Sequence, residues 1–365
     1  MPPANNPKPT VLWWSRGDRG YSRDRIVRAA FQMLGWKIND FCPTISQFGD
    51  VEASLRSVRP ADLVWVPCFR QRDAAAAQRW ASKRGVPIVL DPLISAWDKR
   101  VFERRKFAED SFASQRLLRW ESRLFQNADV VVADTQCHAD FFHGAHQVDR
   151  SKLTVIPVSA EEGFFTPQPT RDITEPINVL FYGSFIGLQG PQYIATAAKL
   201  VPDLRWTFIG SGPLLEQCKS IAADSSHVEF ISRVPYETLP TRIGAADILL
   251  GVFGTSPKAG RVVPNKVYQS LACGRPVITQ RSDAYPSEVC QMTTEASGLT
   301  FVDAGKPIQI ADAVSKLASN AASLRTGAES AQRTFRNYFG ENKVRHSVAH
   351  TIELALSGKT ARDAA

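Results

Sequence analysis

Short apolar runs alternate with amphipathic stretches along almost the whole chain. Residues 11–14, 37–41, 62–67, 87–90, 129–133 and 152–157 read as strands, because brief apolar or β-branched runs bounded by polar, Pro or Gly positions fit buried strands. Between them, residues 23–34 set Ile26, Val27, Ala30, Phe31 and Leu34 on one helical face. Residues 73–84 and 135–142 repeat a helical pattern, and 98–126 predict a long basic helix interrupted once. After residues 167–175, rich in Pro and charge, the alternation restarts. Strands are expected at 177–182, 205–209, 227–231, 247–252 and 276–279, and helices at 191–200, 213–222, 236–243 and 265–272. The tail reads as helical at 308–318 and 321–356. Two βαβ series joined near residue 170 predict an α/β protein of two doubly wound, parallel-sheet (Rossmann-like) domains. The expected boundaries are 1–170 for the first domain, 171–335 for the second, and 336–365 for a C-terminal helix crossing back to the first.

Composition narrows the chemistry. At 365 residues and 44% apolar content the chain can fill two cores. A net charge of +8 and a pI near 9.2 point to an anionic partner, or simply to a basic surface that keeps an enzyme in solution. The basic residues are not interleaved with aromatics in any recognisable module, so nucleic acid is not expected as a partner. Six cysteines lie far apart with no C-x-x-C pair, which predicts reduced core thiols in a cytoplasmic protein and neither a zinc site nor a disulfide framework. No apolar run approaches the length of a membrane span.

Ligands of open α/β sheets bind beyond the carboxyl ends of the strands, so the loops after each strand are the candidates. The most informative is the segment 254–279. Its loop 254–260 (GTSPKAG) leads into VVPNKVYQSLACGRPVIT, in which helix 265–272 is stopped by Gly274 and followed by a strand. A helix N-terminus beside Lys258, Arg261 and Lys266 suits a phosphate or diphosphate. The loop FYGSFIGLQG (181–190) and the turn IGSGP (209–213) are further anion-ready turns, with Gly183, Gly187 and Gly210 permitting close backbone approach. In the first half, SRGDRGYSR (15–23) offers Arg16, Gly17 and Arg19 to a ligand, whereas Arg25 and Arg28 read as a solvated helix face. In LDPLISAWDKR (90–100), Asp91 stands at the mouth of the sheet, where a carboxylate could take a proton or orient a hydroxyl. Asp98 is either a second such group or the N-cap of the long helix. Lys99, Arg100, Arg104, Arg105 and Lys106 serve an anionic acceptor, a lipid surface, or only an exposed helix face. There is no D-x-D motif, no P-loop and no G-x-S-x-G elbow. A diphosphate bound without a metal ion would need cationic side chains and backbone N–H groups to neutralise it.

The second half resembles the donor domain of GT-B-fold, family 4 (group 1) glycosyltransferases. The matching pieces are FYGSF…G (181–190), FIGSGP (208–213), VEF…VP (228–235), ADILL (246–250), PNKVYQSLACGRPVI (264–278), PSEV (286–289) and SGLTFV (297–302). The first half matches mainly by architecture. The resemblance implies two domains facing a cleft and transfer of a sugar from a nucleotide-diphosphate sugar, usually with retention and without a metal. No other cofactor is implied. The acceptor would be a saccharide or a lipid-linked molecule, with peripheral contact at the inner membrane face and polysaccharide or glycolipid assembly as the family's habit. Donor contacts would come from Gly183, Ser184, Gly210, Lys258, Arg261, Asn265, Lys266 and Gln269. Lys258 and Arg261 would stabilise the leaving group, and Asp91 or Asp98, with Arg16, Gly17 and Arg19 on the acceptor side, would face the acceptor or sugar. Ser184 and Gln189 stand where the family usually has an Arg and a Lys on the diphosphate. Arg261 and Gln269 stand where it usually has two acids eight apart. Glu288 matches a later acidic position, for which a structural role is equally open. Two rival readings share the architecture. One is a nucleotide-sugar epimerase, which needs carboxylates and a histidine at the site, although His138, His143 and His146 read as a surface cluster. The other is a non-catalytic sugar-nucleotide-binding protein.

Overall fold

A computed structural model describes residues 8–17, 20–169 and 176–363, with side chains through residue 358. The chain divides into two compact units, Met1–Pro157 with Glu341–Ala365, and Val158–Gly340.

The first unit carries six parallel strands: β1 (Thr10–Trp14), β2 (Lys37–Phe41), β3 (Leu63–Val66), β4 (Ile88–Leu90), β5 (Val130–Ala133) and β6 (Leu153–Val155). Their order is β2-β1-β3-β4-β5-β6, with Val11 beside both Ile38 and Leu63. Parallel neighbours need crossover helices, and these cover both faces of the sheet. One face buries Leu12, Trp14, Val64 and Val66 with Trp80, Leu124 and Phe125. The other buries Val11, Trp13 and Trp65 with Ile26 and Phe31, and with Val344, Val348 and Ile352 of the last helix, Glu341–Asp363. The apolar stripe of that helix therefore completes this core.

The expected helix 98–126 is three pieces: Ala96–Asp98, a π-helical turn Lys99–Glu103, and Phe112–Gln126. Ser95 Oγ accepts from the Asp98 N–H at 3.1 Å, so Ser95, not Asp98, is the N-cap. Fully buried Glu121 accepts from Ser95 Oγ and from the Ala96 and Trp97 N–H groups at 2.6, 2.6 and 3.0 Å, which fixes where this short helix begins. Ser111 Oγ caps the second start by accepting from the Ser114 N–H. The helix Gly49–Leu55 has no counterpart in the expected elements. Its large apolar residues, Val51 and Leu55, face solvent, so no core-directed stripe announces it.

The second unit holds β7 (Asn178–Ser184), β8 (Arg205–Ser211), β9 (Val228–Ile231), β10 (Ile248–Leu250), β11 (Val277–Gln280) and β12 (Leu299–Val302). All are parallel, in the order β12-β11-β10-β7-β8-β9. Helix Asn265–Ala272 has its expected bounds and ends before Gly274 at φ 69°. Strand order reverses between β7 and β10 here and between β1 and β3 in the first unit. These switch points are where open α/β sheets place ligands.

Candidate functional site

At the switch point of the second sheet, β7 ends at Gly183–Ser184 and pairs with Gly210–Ser211 of β8. Gly183 has φ 148° and Gly210 φ 135°. A Cβ on Gly210 would strike the Gly183 carbonyl, and one on Gly183 would lie 3.0 Å from Lys266 Nζ. Both positions need glycine because backbone and ammonium crowd there. The loop 185–190 is held by Phe185 N–H to Ser211 O at 3.0 Å, and its Gln189 O accepts from the Phe253 N–H at 3.1 Å. The loops after β7, β8 and β10 thus converge.

Lys266, in the first turn of Asn265–Ala272, is only 5% exposed. Its Nζ donates to Gln189 Oε1 at 2.8 Å and lies 3.9 Å from the centroid of the Phe181 ring. Burial pulls this ammonium well below the ordinary lysine pKa, and no carboxylate offsets the shift. A buried cation whose partners among the described residues are an amide oxygen and a ring is costly and marks a functional-site candidate. Gln269 is buried, and its Oε1 accepts from the Tyr182 hydroxyl at 3.0 Å. Ser184 and Asn265 are half-buried. Lys258 is buried at the head of a turn, Ala259–Arg261, and Arg261 is half-buried. Gln280 Nε2 and Ser282 Oγ fix that turn by donating to Ala259 O and Gly260 O at 2.8 and 2.6 Å. The structure therefore brings Gly183, Gln189 and Lys266 together, ties Gln269 to Tyr182 of the same strand, and holds the turn with Lys258 and Arg261 against Gln280 and Ser282 at the end of β11. The coupling of Lys266 to Gln189 is not visible in sequence, since the two are 77 positions apart.

In the first unit, Arg16 is exposed, and its backbone N–H donates to Asp73 Oδ2 at 2.8 Å. Gly17 has φ 127°, and a Cβ there would lie 2.7 Å from Arg70 Nη2, so the group closest to this glycine is a guanidinium. Arg19 lies outside the described residues. Asp91 is 1% exposed and accepts from Arg23 Nε at 2.9 Å, while Arg23 Nη1 donates to Ile156 O at 2.9 Å. Burial pushes the Asp91 carboxyl up against the opposing pull of Arg23. Asp98 is fully buried. Neither carboxylate reaches the surface. Arg25 and Arg28 are half-buried rather than solvated: Arg25 donates to Gly20 O, and Arg28 grips Asp40 and covers the Trp13 ring. The histidines are likewise not a surface cluster, because His138 and His146 are both fully buried. His138 Nδ1 meets Asp134 Oδ1, and burial lowers His146 to about 3. The burial of Arg23 and His138 escaped the sequence reading because both sit in the first turn of a helix starting at the carboxyl edge of the sheet, where a polar side chain turns inward.

Asp24, next to Arg23, accepts from the buried Cys68 thiol at 3.1 Å, and burial raises it to about 6. An acid whose folded pKa is raised favours the native state most when protonated. Stability should therefore fall as pH rises from about 4 through 6, on the order of 2–3 kcal/mol. Urea midpoints across that range should show this fall, and Asp24→Asn should flatten it; an unchanged slope in the variant would assign the fall to other groups.

Among the described residues no two cysteines form a disulfide, and the buried ones, Cys68, Cys218 and Cys273, lie in loops and helices. Among the described residues no helix is long and apolar enough to cross a membrane, and no group of three or more His, Cys, Asp or Glu side chains is arranged to hold a metal ion.

Comparison with known proteins agrees with this architecture. Residues 14–159 match the glycosyl transferase 4-like domain, and residues 176–320 match glycosyl transferases group 1. A D-inositol 3-phosphate glycosyltransferase of Mycolicibacterium smegmatis is 27% identical over 255 residues, 65% of this chain and 54% of that protein. The match thus spans about half the length of the curated relative. Among solved structures, sucrose-phosphate synthase of Thermosynechococcus elongatus superposes with a TM-score of 0.74 at 14% identity, covering 96% of this chain and 100% of that one. Anabaena HepE in complex with UDP-glucose superposes at 0.70 and 14% identity, covering 94% and 99%. With both halves matched in order, and two six-stranded parallel sheets flanked by helices, the chain belongs to the GT-B-fold, family 4 (group 1) glycosyltransferases.

Proposed function

We propose that this protein transfers a hexosyl or related sugar from a nucleotide-diphosphate sugar to a saccharide or lipid-linked acceptor, with retention and without a metal ion. The observation that carries the reading is the buried Lys266 ammonium between Gln189 and the Phe181 ring, beside Gly183 and at a helix N-terminus. The diphosphate leaving group gains charge as the glycosidic bond breaks, so fixed cations and helix N–H groups aimed at it lower the barrier. In this reading Lys266 supplies charge where Ser184 and Gln189 lack it, and Lys258 and Arg261 add to it from the adjoining loop. Gln269 orients the ribose through its remaining amide group. On a front-face route the leaving phosphate itself can take the acceptor proton, so no protein base is required. The UDP-glucose held by HepE supports a uridine nucleotide as donor.

The test is nucleoside diphosphate release from a panel of UDP-, GDP- and dTDP-sugars, with and without a lipid extract or oligosaccharide acceptors. Acceptor-stimulated release is expected. Epimer formation without acceptor, or binding without turnover, would overturn the reading in favour of an epimerase or a binding protein. The double variant Lys258→Ala/Arg261→Ala should lose at least about a hundredfold in turnover with its circular dichroism unchanged; full activity would remove both residues from the leaving-group site.

A further inference from the structure

On the first unit, a cleft of about 520 Å³ is lined by Phe69, Phe112 and Trp120 together with Arg72, Arg100 and Arg116. An adjoining cavity of about 490 Å³ shares Phe69 and Arg100 and adds Lys99, Arg104 and Lys106. Among the described residues no carboxylate lines either one. The aromatic residues are unusually open, with Phe112 76% exposed, Phe69 40% and Trp120 37%. Phe112, Arg116 and Trp120 stand four residues apart on helix Phe112–Gln126, so one face presents ring, guanidinium and ring in turn. Phe69 has φ 63°, a left-handed conformation that is costly for a bulky residue and that tends to persist where function holds it. Tyr21 packs edge-on to its ring at 5.1 Å, and Lys99 Nζ lies 5.9 Å from its centroid.

We propose that this cleft binds a single amphiphile, a lipid chain carrying a phosphate or diphosphate head. Apolar lining alone would suit any hydrophobe, and cations alone any anion. One cavity offering both selects a molecule with both ends. The volume falls within the ordinary range for small-molecule sites. The chain gains binding free energy with each methylene it buries against the rings. The head meets guanidinium groups, which bind phosphate oxygens in pairs. The proposal stands apart from the donor reading because it is read by binding alone.

The experiment titrates the protein with dihexanoyl phosphatidic acid below its micelle concentration. Dihexanoyl phosphatidylcholine, inorganic phosphate and a single-stranded oligonucleotide serve as comparison probes. The phosphatidic acid should bind at least tenfold more tightly than the phosphatidylcholine or phosphate. Arg100→Glu/Arg116→Glu should weaken it at least tenfold, and Phe112→Ser/Trp120→Ala should reduce it to the level of inorganic phosphate. Phe112 is exposed enough for Phe112→Ser alone to keep the fold, so it provides a check on the double variant. Three results would overturn the proposal: phosphate binding as well as the lipid, preference for the oligonucleotide, or retention on phosphatidic-acid vesicles without binding of the monomeric lipid. The last would indicate adsorption to a charged surface rather than a lipid seated in a site.

Discussion

Lys266→Met should lower turnover by roughly a hundred- to a thousandfold, the effect typical of removing one fixed charge that stabilises a developing anion. The loss should fall on kcat rather than KM, because the interaction strengthens as the diphosphate departs. Stability should be unchanged or higher, since exchanging a desolvated ammonium for an apolar side chain of similar length removes a burial cost. The pH dependence follows from the same desolvation, which pulls the Lys266 pKa well below its ordinary value in the free protein. A bound diphosphate raises it again. Between those two values binding takes up a proton, so affinity for a nucleoside diphosphate should fall as pH rises through that window. Calorimetry in buffers of different ionisation enthalpy would show the proton uptake, and the uptake should vanish in Lys266→Met. Turnover within threefold of the wild type would remove Lys266 from the leaving-group site.

The fold was legible because parallel strands covered on both faces leave a near-continuous apolar signature. Most strands lie within a few residues of their expected places, and helix Asn265–Ala272 has its expected bounds. Strand β12 was not among the expected strands, being a four-residue element between Gly298 and Asp303. The interruption of the 98–126 helix was visible in outline, but its position depended on Ser95 and Ser111 as caps and on Glu121 reaching back to the first start. Contacts across a long sequence separation carry no local signal. At the candidate site, the loops, glycines and cations could be named from residue type and spacing. The way Lys266 meets Gln189 could not, nor could the approach of Arg70 to Gly17. For the same reason Asp91 read as a carboxylate at the sheet mouth: a strand-end acid looks alike in sequence whether it faces solvent or an arginine from the helix after β1.

Asp91→Ala should destabilise the first unit by about 3–5 kcal/mol, the usual cost of leaving one buried charge without its partner. Arg23 is fully buried and stays charged at any ordinary pH, and it also donates to the Ile156 and Pro157 carbonyls. For a unit of this size each kcal/mol lowers Tm by about 2–4 °C, so a drop near 10 °C is expected by calorimetry. Replacing both partners, Arg23→Met/Asp91→Leu, should cost less than Asp91→Ala alone, because apolar groups of similar volume fill the site without an orphaned charge. The pair of variants also separates two roles for Asp91. If the carboxylate only holds Arg23 in place, the folded double variant should retain most of its turnover. If the carboxylate moves a proton or touches the sugar, turnover should collapse in that variant even though the fold survives. Burial of both side chains favours the first outcome, since a group sealed beneath the carboxyl edge of the sheet meets no substrate unless the loops above it open.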